Sequence, residues 1–333
     1  MNEIWKYKRA LTDSPEDPKA HFNLGYAFCR QSMYDQAIYE FRQAVKLSPD
    51  YTEAYVNLGT ALGQKEMYFA GAAAFSKAIH INRRLGIAHY NLGAILHYLT
   101  LNEDALWELR QVLKLTLKGP VAEMARSLIQ QIEDEGFWEV SSEEVYLNLA
   151  AAYEELNLLA EAEAVAKKGI GNYRNSWTLQ LQYGLILSRR REFAGAVDAY
   201  RAALEKSTEP WLVHINIGNA YDRLGQYETA VSHYRDALKL NPGNQDALYN
   251  LALTYTHQGS SSEAVQTYRK LLDFHPRHQK ALINLGQVFF DSGKTDEALE
   301  VWRKAISVDP FAREAEVARK NIRFVRPKGD NHA

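Results

Sequence analysis

Cysteine is nearly missing from this chain. Of 333 residues only Cys29 is a thiol, so no internal disulfide can form. An excess of one charge is missing too: 39 Lys and Arg stand against 41 Asp and Glu, a formal net charge of -2. No global field then draws the chain to nucleic acid or to an anionic membrane. There is no apolar run long enough to span a bilayer, and the opening MNEIWKYKRALTDSPEDP has no secretory pattern. A phosphate-binding glycine loop and a nucleophile elbow are also absent. These gaps lead to the expectation of a cytoplasmic protein with no catalytic residue, no metal site, no cofactor, no nucleic-acid partner and no membrane insertion.

What is present is a repeat. Trp211 to Asn244 reads as two short amphipathic helices with a turn at Gly225-Gln226, and its small and bulky residues are Ile217, Gly218, Tyr221, Ala230, Tyr234, Ala237 and Pro242. Adding 34 gives Leu251, Ala252, Tyr255, Ala264, Tyr268, Leu271 and Pro276; adding 34 again gives Leu285, Gly286, Phe289, Ala298, Trp302, Ala305 and Pro310. Gly218, Ala230 and Ala237 allow two helices to approach, and Tyr221 and Tyr234 fill the space between them. Pro242 stops the second helix, having no amide hydrogen to donate. This order of residues resembles the tetratricopeptide repeat. A fixed period of this length marks a stacked helical array.

The resemblance implies an all-α, right-handed superhelical solenoid of about eight helix pairs. Residues 1–17 are expected to be a partial repeat, since Tyr7, Ala10 and Pro15 lie one period before Phe41, Ala44 and Pro49. Residues 18–119 hold units one to three. The third drifts: Val112 stands where a small residue is usual and Leu117 where proline is, which widens the space beneath its second helix. Residues 120–142 are out of register. Val121, Met124, Ala125, Leu128, Ile129 and Ile132 make one helical stripe there, read as an inserted helix that is either filler or a bend. A capping box at Ser141 and Glu144 restarts the register. Units four to eight occupy 143–310, and unit four has Ala166 at the aromatic place. Residues 311–333 make a charged capping helix with Ala315, Ala318, Ile322 and Val325 on one side, followed by a disordered tail from Pro327.

The resemblance also places the first helix of each unit on the concave side. Two places before the glycine stand Asn23, Asn57, Asn91, Asn148, Gln182, Asn216, Asn250 and Asn284. A carboxamide has a donor and an acceptor on one plane, so it can hold a peptide bond without reading the side chain. Helices packed about 8–10 Å apart and a strand rising about 3.3 Å per residue would match one rung to roughly every third residue. The run resembles the asparagine ladder in the repeat domain of O-linked N-acetylglucosamine transferase, though no transferase domain is present. One place earlier, Tyr90 and Tyr249 are further candidates for ligand contact, while Val56, Leu147 and Ile283 read as packing between first helices. The lysines of a carboxylate clamp are not there: only Lys19 and Lys280 lie near such places.

Other signals read as structure. His275 and His278 flank a turn without a third ligand. Cys29 reads as a packed thiol, and Glu133, Asp134 and Glu135 as a solvated helix end. Arg189-Arg190-Arg191 is a charged turn, and Arg319, Lys320, Arg323, Arg326 and Lys328 are a modest basic end. The expected function is a protein-interaction scaffold holding an extended segment of a protein partner in the groove. Two alternatives stand beside it: an assembly chaperone or subunit of a larger complex using the convex face or the insert, and the substrate-recruiting arm of a transferase on another chain.

Overall fold

A computed structural model describes residues 3–136 and 141–325. The expectations for Arg326, Lys328 and the tail from Pro327 lie outside the described residues. Among these residues there are nineteen α-helices and no strand. Eight pairs form the repeats: α2 (Pro18–Cys29) with α3 (Tyr34–Leu47), α4 (Thr52–Gln64) with α5 (Tyr68–Ile81), α6 (Gly86–Tyr98) with α7 (Asn102–Leu115), α9 (Glu143–Glu155) with α10 (Leu159–Asn172), α11 (Trp177–Arg189) with α12 (Phe193–Leu204), α13 (Pro210–Arg223) with α14 (Tyr227–Leu240), α15 (Gln245–His257) with α16 (Ser261–Phe274), and α17 (Gln279–Asp291) with α18 (Thr295–Val308). Three helices stand outside the pairs: α1 (Glu3–Asp13), α8 (Pro120–Glu135) and α19 (Arg313–Val325).

The pairs close as the small-against-large pattern predicts. A methyl group added to Gly218 would sit 2.7 Å from the ring of Tyr234, so the backbone of α13 rests on that ring. Unit four reaches the same closeness with the roles exchanged. It has Ala166 where others have a ring, and there Tyr146 on the first helix lies against Gly169 on the second, 2.8 Å from an added methyl. Between paired helices the chain turns through one left-handed residue in every unit: Ser32, Glu66, Thr100, Asn157, Arg191, Gly225, Gly259 and Gly293 all have positive φ. The first five are not glycine and hold the same geometry at a steric cost.

Contacts divide the chain into two compact units, with the division between Gln182 and Tyr183, inside α11. In the first unit, α2, α4 and α6 lie side by side, with α1 packed on α2 in the place a preceding second helix would take. After α7 the array stops: α8 packs on α7 and α6. Ala122, Ala125 and Ile132 are buried there, and so is Val112 beneath them. Glu133 pairs with Arg110 at 3.3 Å and Glu135 with His97 at 3.6 Å, so two of the three acids read as a solvated end reach back to α7 and α6. Helix α9 then packs on α5, not on α7 or α8. The Ser76 hydroxyl donates to the Tyr153 hydroxyl at 3.2 Å, and Lys168 of α10 reaches Asp104 at 2.8 Å.

The expected capping box is not formed. The N-cap of α9 is Ser142, without a side-chain cap bond, while the hydroxyl of Ser141 donates to the Leu99 carbonyl at 2.9 Å. Leu99 is the C-cap of α6, whose carbonyl lacks a helical partner, and Ser141 satisfies it instead of capping α9.

In the second unit α13, α15 and α17 lie side by side, and α19 covers α18 and α17 with Ala315 and Ala318 buried. Asn244 and His278 cap α15 and α17 by accepting from Ala247 N at 2.9 Å and Ala281 N at 3.1 Å.

Candidate functional site

Each first helix buries its glycine or alanine face against its partner, which turns the residue two places earlier toward the flank where first helices lie side by side. Three carboxamides therefore line up on α2, α4 and α6 (Asn23, Asn57, Asn91), and three on α13, α15 and α17 (Asn216, Asn250, Asn284), all half-buried. Asn148 does not extend the first row. It is exposed on α9, whose neighbour is α5 and not α6. Gln182 donates from its amide to the carboxylate of Glu154 on α9.

The two rows use the same side chain differently. In the second unit Asn250 donates to the side-chain Oδ1 of Asn219 at 2.8 Å, and the same Oδ1 also accepts from the Tyr234 hydroxyl at 2.8 Å. Asn284 donates to the Tyr249 hydroxyl at 3.1 Å. Two of the three carboxamides are thus bonded to the preceding repeat, and Asn216 donates to its own helix, to the Leu212 carbonyl at 2.9 Å. The Tyr249 ring also stacks on His278 at 5.2 Å, so this candidate contact residue is engaged in packing. One turn further along, Thr254 donates to Asp222 at 2.7 Å and His257 lies 3.2 Å from the same oxygen, a second bridge between α13 and α15. In the first unit no such bridge joins the row. Asn57 donates to the Glu53 carbonyl at 2.8 Å, and no side-chain bond is described for Asn23 or Asn91. The surrounding surface is mixed: Tyr90, Phe22 and Val56 are half-buried, and Tyr26 and Thr60 are exposed.

Sequence reading did not identify the bridge from Asn250 to Asn219. It named the column of Asn250 as facing the groove, and only the distance between neighbouring helices shows that Asn250 meets Asn219. It also passed over a set of pairs nineteen residues apart. His21 Nδ1 lies 2.6 Å from Glu40 and His89 Nδ1 2.6 Å from Glu108, each joining a first helix to its second. Burial pulls the His89 pKa down, but the hydrogen bonds to Glu108 and to the Arg83 carbonyl outweigh it and the net shift is upward. Burial also pushes Glu108 up. At the equivalent place in unit six the pair is His214 and His233, Nδ1 to Nδ1 at 3.0 Å.

The described cavities lie on the other flank, between successive second helices. One of about 470 Å³ is bordered by Ser76, His89, Trp107, Glu108 and Glu161. Another of about 480 Å³, bordered by Arg235, Leu248, Tyr255 and Thr267, is its repeat-equivalent in the second unit. His275 and His278 are not a metal pair in this fold: His275 Nε2 bonds the Gly243 carbonyl at 2.9 Å, and His278 caps α17. Cys29 is half-buried, and burial pushes its thiol pKa up, away from the reactive thiolate.

Comparison with known proteins agrees with the repeat. Models of the tetratricopeptide repeat match residues 215–279, 25–65 and 279–312. No curated protein matches. Among solved structures, the chain is similar to YrrB, described as a tetratricopeptide repeat protein with an unusual peptide-binding site, at 22% identity and a TM-score of 0.44, covering 59% of this chain and 97% of that one. It is similar to residues 41 to the end of MamA from Desulfovibrio magneticus RS-1 at 18% identity and a TM-score of 0.47, covering 51% and 97%. The tetratricopeptide domain of P58(IPK) aligns over 94% of this chain and 100% of its own, at 15% identity and a TM-score of 0.34. Among the described residues no helix is long and apolar enough to cross a membrane. Over residues 25–65 and 215–312 the chain matches the tetratricopeptide repeat, and there rings packed on small residues hold the paired helices together.

Proposed function

We propose that this chain is a non-enzymatic interaction scaffold that holds an extended protein segment by its backbone, and that the contact surface is the row Asn23, Asn57 and Asn91. The observation that supports it is the contrast between rows. Asn23, Asn57 and Asn91 form no bond to a neighbouring repeat, whereas Asn250 and Asn284 in the second unit do. A half-buried amide without a structural partner loses solvation and gains nothing, unless a ligand supplies the missing donor and acceptor. Peptide N–H and C=O groups supply both. The row is similar in kind to the asparagine ladder of O-linked N-acetylglucosamine transferase, shortened to three rungs.

Tyr26 and Tyr90 flank the row and offer apolar contact with a polar tip, so the ligand is expected to present small or apolar side chains at intervals and little charge. In this reading the second row serves cohesion of the array. A panel of immobilised, extended peptides of varied sequence tests the proposal. Binding that tolerates side-chain changes but fails when backbone amides are N-methylated supports it. Binding that depends on a free C-terminal carboxylate, or on one charged side chain, contradicts it.

A further inference from the structure

We infer that His214, His233 and Asp236 form a binding site for a borderline divalent cation of the zinc, cobalt or nickel class. The ligand atoms of these three half-buried residues lie within 4.8 Å of one another. The two Nδ1 atoms are 3.0 Å apart. Two nitrogens bound at about 2.0–2.1 Å to one tetrahedral zinc are separated by about 3.3 Å, so the pair needs only a few tenths of an ångström of movement. Asp236 follows His233 by three places on α14 and presents its carboxylate on the same face. Two imidazoles and one carboxylate leave a coordination place open to water or to a side chain of a partner. Such a set of donors selects zinc-like ions over calcium or magnesium, which prefer oxygen alone.

The place is not built like its equivalents. His21 and His89 face the carboxylates Glu40 and Glu108, a pairing that a protonated imidazole satisfies by itself. At His214 the partner is a second imidazole. Two protonated rings would repel there, and two neutral ones meet through a single N–H shared between two basic nitrogens. The Tyr221 ring, stacked at 5.7 Å on His233, holds that imidazole in place, and Arg201 holds the Tyr221 hydroxyl at 2.6 Å. Two cations oppose the ion. Arg201 lies near His233, and the Lys239 ammonium takes one oxygen of Asp236 at 2.6 Å.

The test titrates the full chain with Co²⁺ and Zn²⁺, each as the simple salt. One equivalent of Co²⁺ should give visible d–d absorption that Zn²⁺ removes. His214→Leu and His233→Thr restore residues that the same fold already holds at equivalent places, Leu248 and Thr267, so both variants should melt like the parent in chelator. Each should weaken Co²⁺ binding by about tenfold or more, whereas Lys239→Met, which frees the carboxylate, should tighten it. Absence of stoichiometric binding by the parent would overturn the inference. So would binding that His214→Leu leaves unchanged, since other histidines of the chain would then hold the ion.

Discussion

The row on α2, α4 and α6 and the row on α13, α15 and α17 hold the same residue at the same repeat place, yet they are wired differently. In the second, Asn250 and Asn284 reach the preceding repeat through Asn219 and Tyr249. In the first, no rung reaches a neighbour, and Asn57 turns back to its own helix. The cause lies one turn away. A donor needs an acceptor on the adjacent helix: Asn219 and Tyr249 serve as acceptors in the second unit, whereas in the first unit Ala94 has none to offer, Thr60 turns its hydroxyl to the Val56 carbonyl, and neither Tyr26 nor Thr60 takes a bond from the row. Repeat identity at one column thus does not decide the role of that column; the acceptor on the adjacent first helix decides it, Asn219 for Asn250 and Tyr249 for Asn284.

Predictions that break or sharpen this contrast run from large to small. Tyr234→Ala should cost about 3–5 kcal/mol of stability, because it empties the space under α13 and strips a bond from Asn219. A chemical melt of the second unit's signal would read it, and a loss below about 1 kcal/mol would contradict the packing account. Asn250→Ala should cost about 1–2 kcal/mol, and its effect should couple with that of Tyr234→Phe, since both remove a donor from one oxygen. Strict additivity in that double-mutant cycle would mean that the shared acceptor has no energetic weight. Asn57→Ala, by contrast, should change stability by less than about 0.5 kcal/mol. The turn should shift stability the other way: Glu66→Gly should stabilise by about 0.3 kcal/mol, as relief of a left-handed non-glycine residue is partly offset by a freer unfolded chain.

The helix pairs were legible in the sequence because small and large residues meet within one repeat, and that meeting is set by a fixed offset. Unit four shows the limit of that offset. Its pattern lacks the ring at Ala166, and the compensation by Tyr146 against Gly169 appears only when the two helices are placed. Ser141 was read as a cap, but the unsatisfied carbonyl of Leu99 forty-two residues earlier takes its hydroxyl. A break was visible at 120–142; that α8 closes the first array while α9 returns to α5 was not, since both helices have an apolar stripe and only contacts say what each stripe meets. Among the candidate binding residues, the columns were legible, and the split of those columns into a bridged row and an unbridged one was not. Hydrogen bonds between neighbouring repeats depend on pairs of residues that no single period links.

The most direct test replaces Asn23, Asn57 and Asn91 together by alanine and compares peptide affinity and melting temperature with those of the parent and of the triple variant at Asn216, Asn250 and Asn284. The account predicts that the first triple loses about 1.5–4.5 kcal/mol of binding, one bond of about 0.5–1.5 kcal/mol per rung, with an unchanged melting temperature. The second triple should melt lower and keep its affinity wherever it remains folded. Equal binding by the first triple and the parent, or loss of binding only with the second, would contradict it.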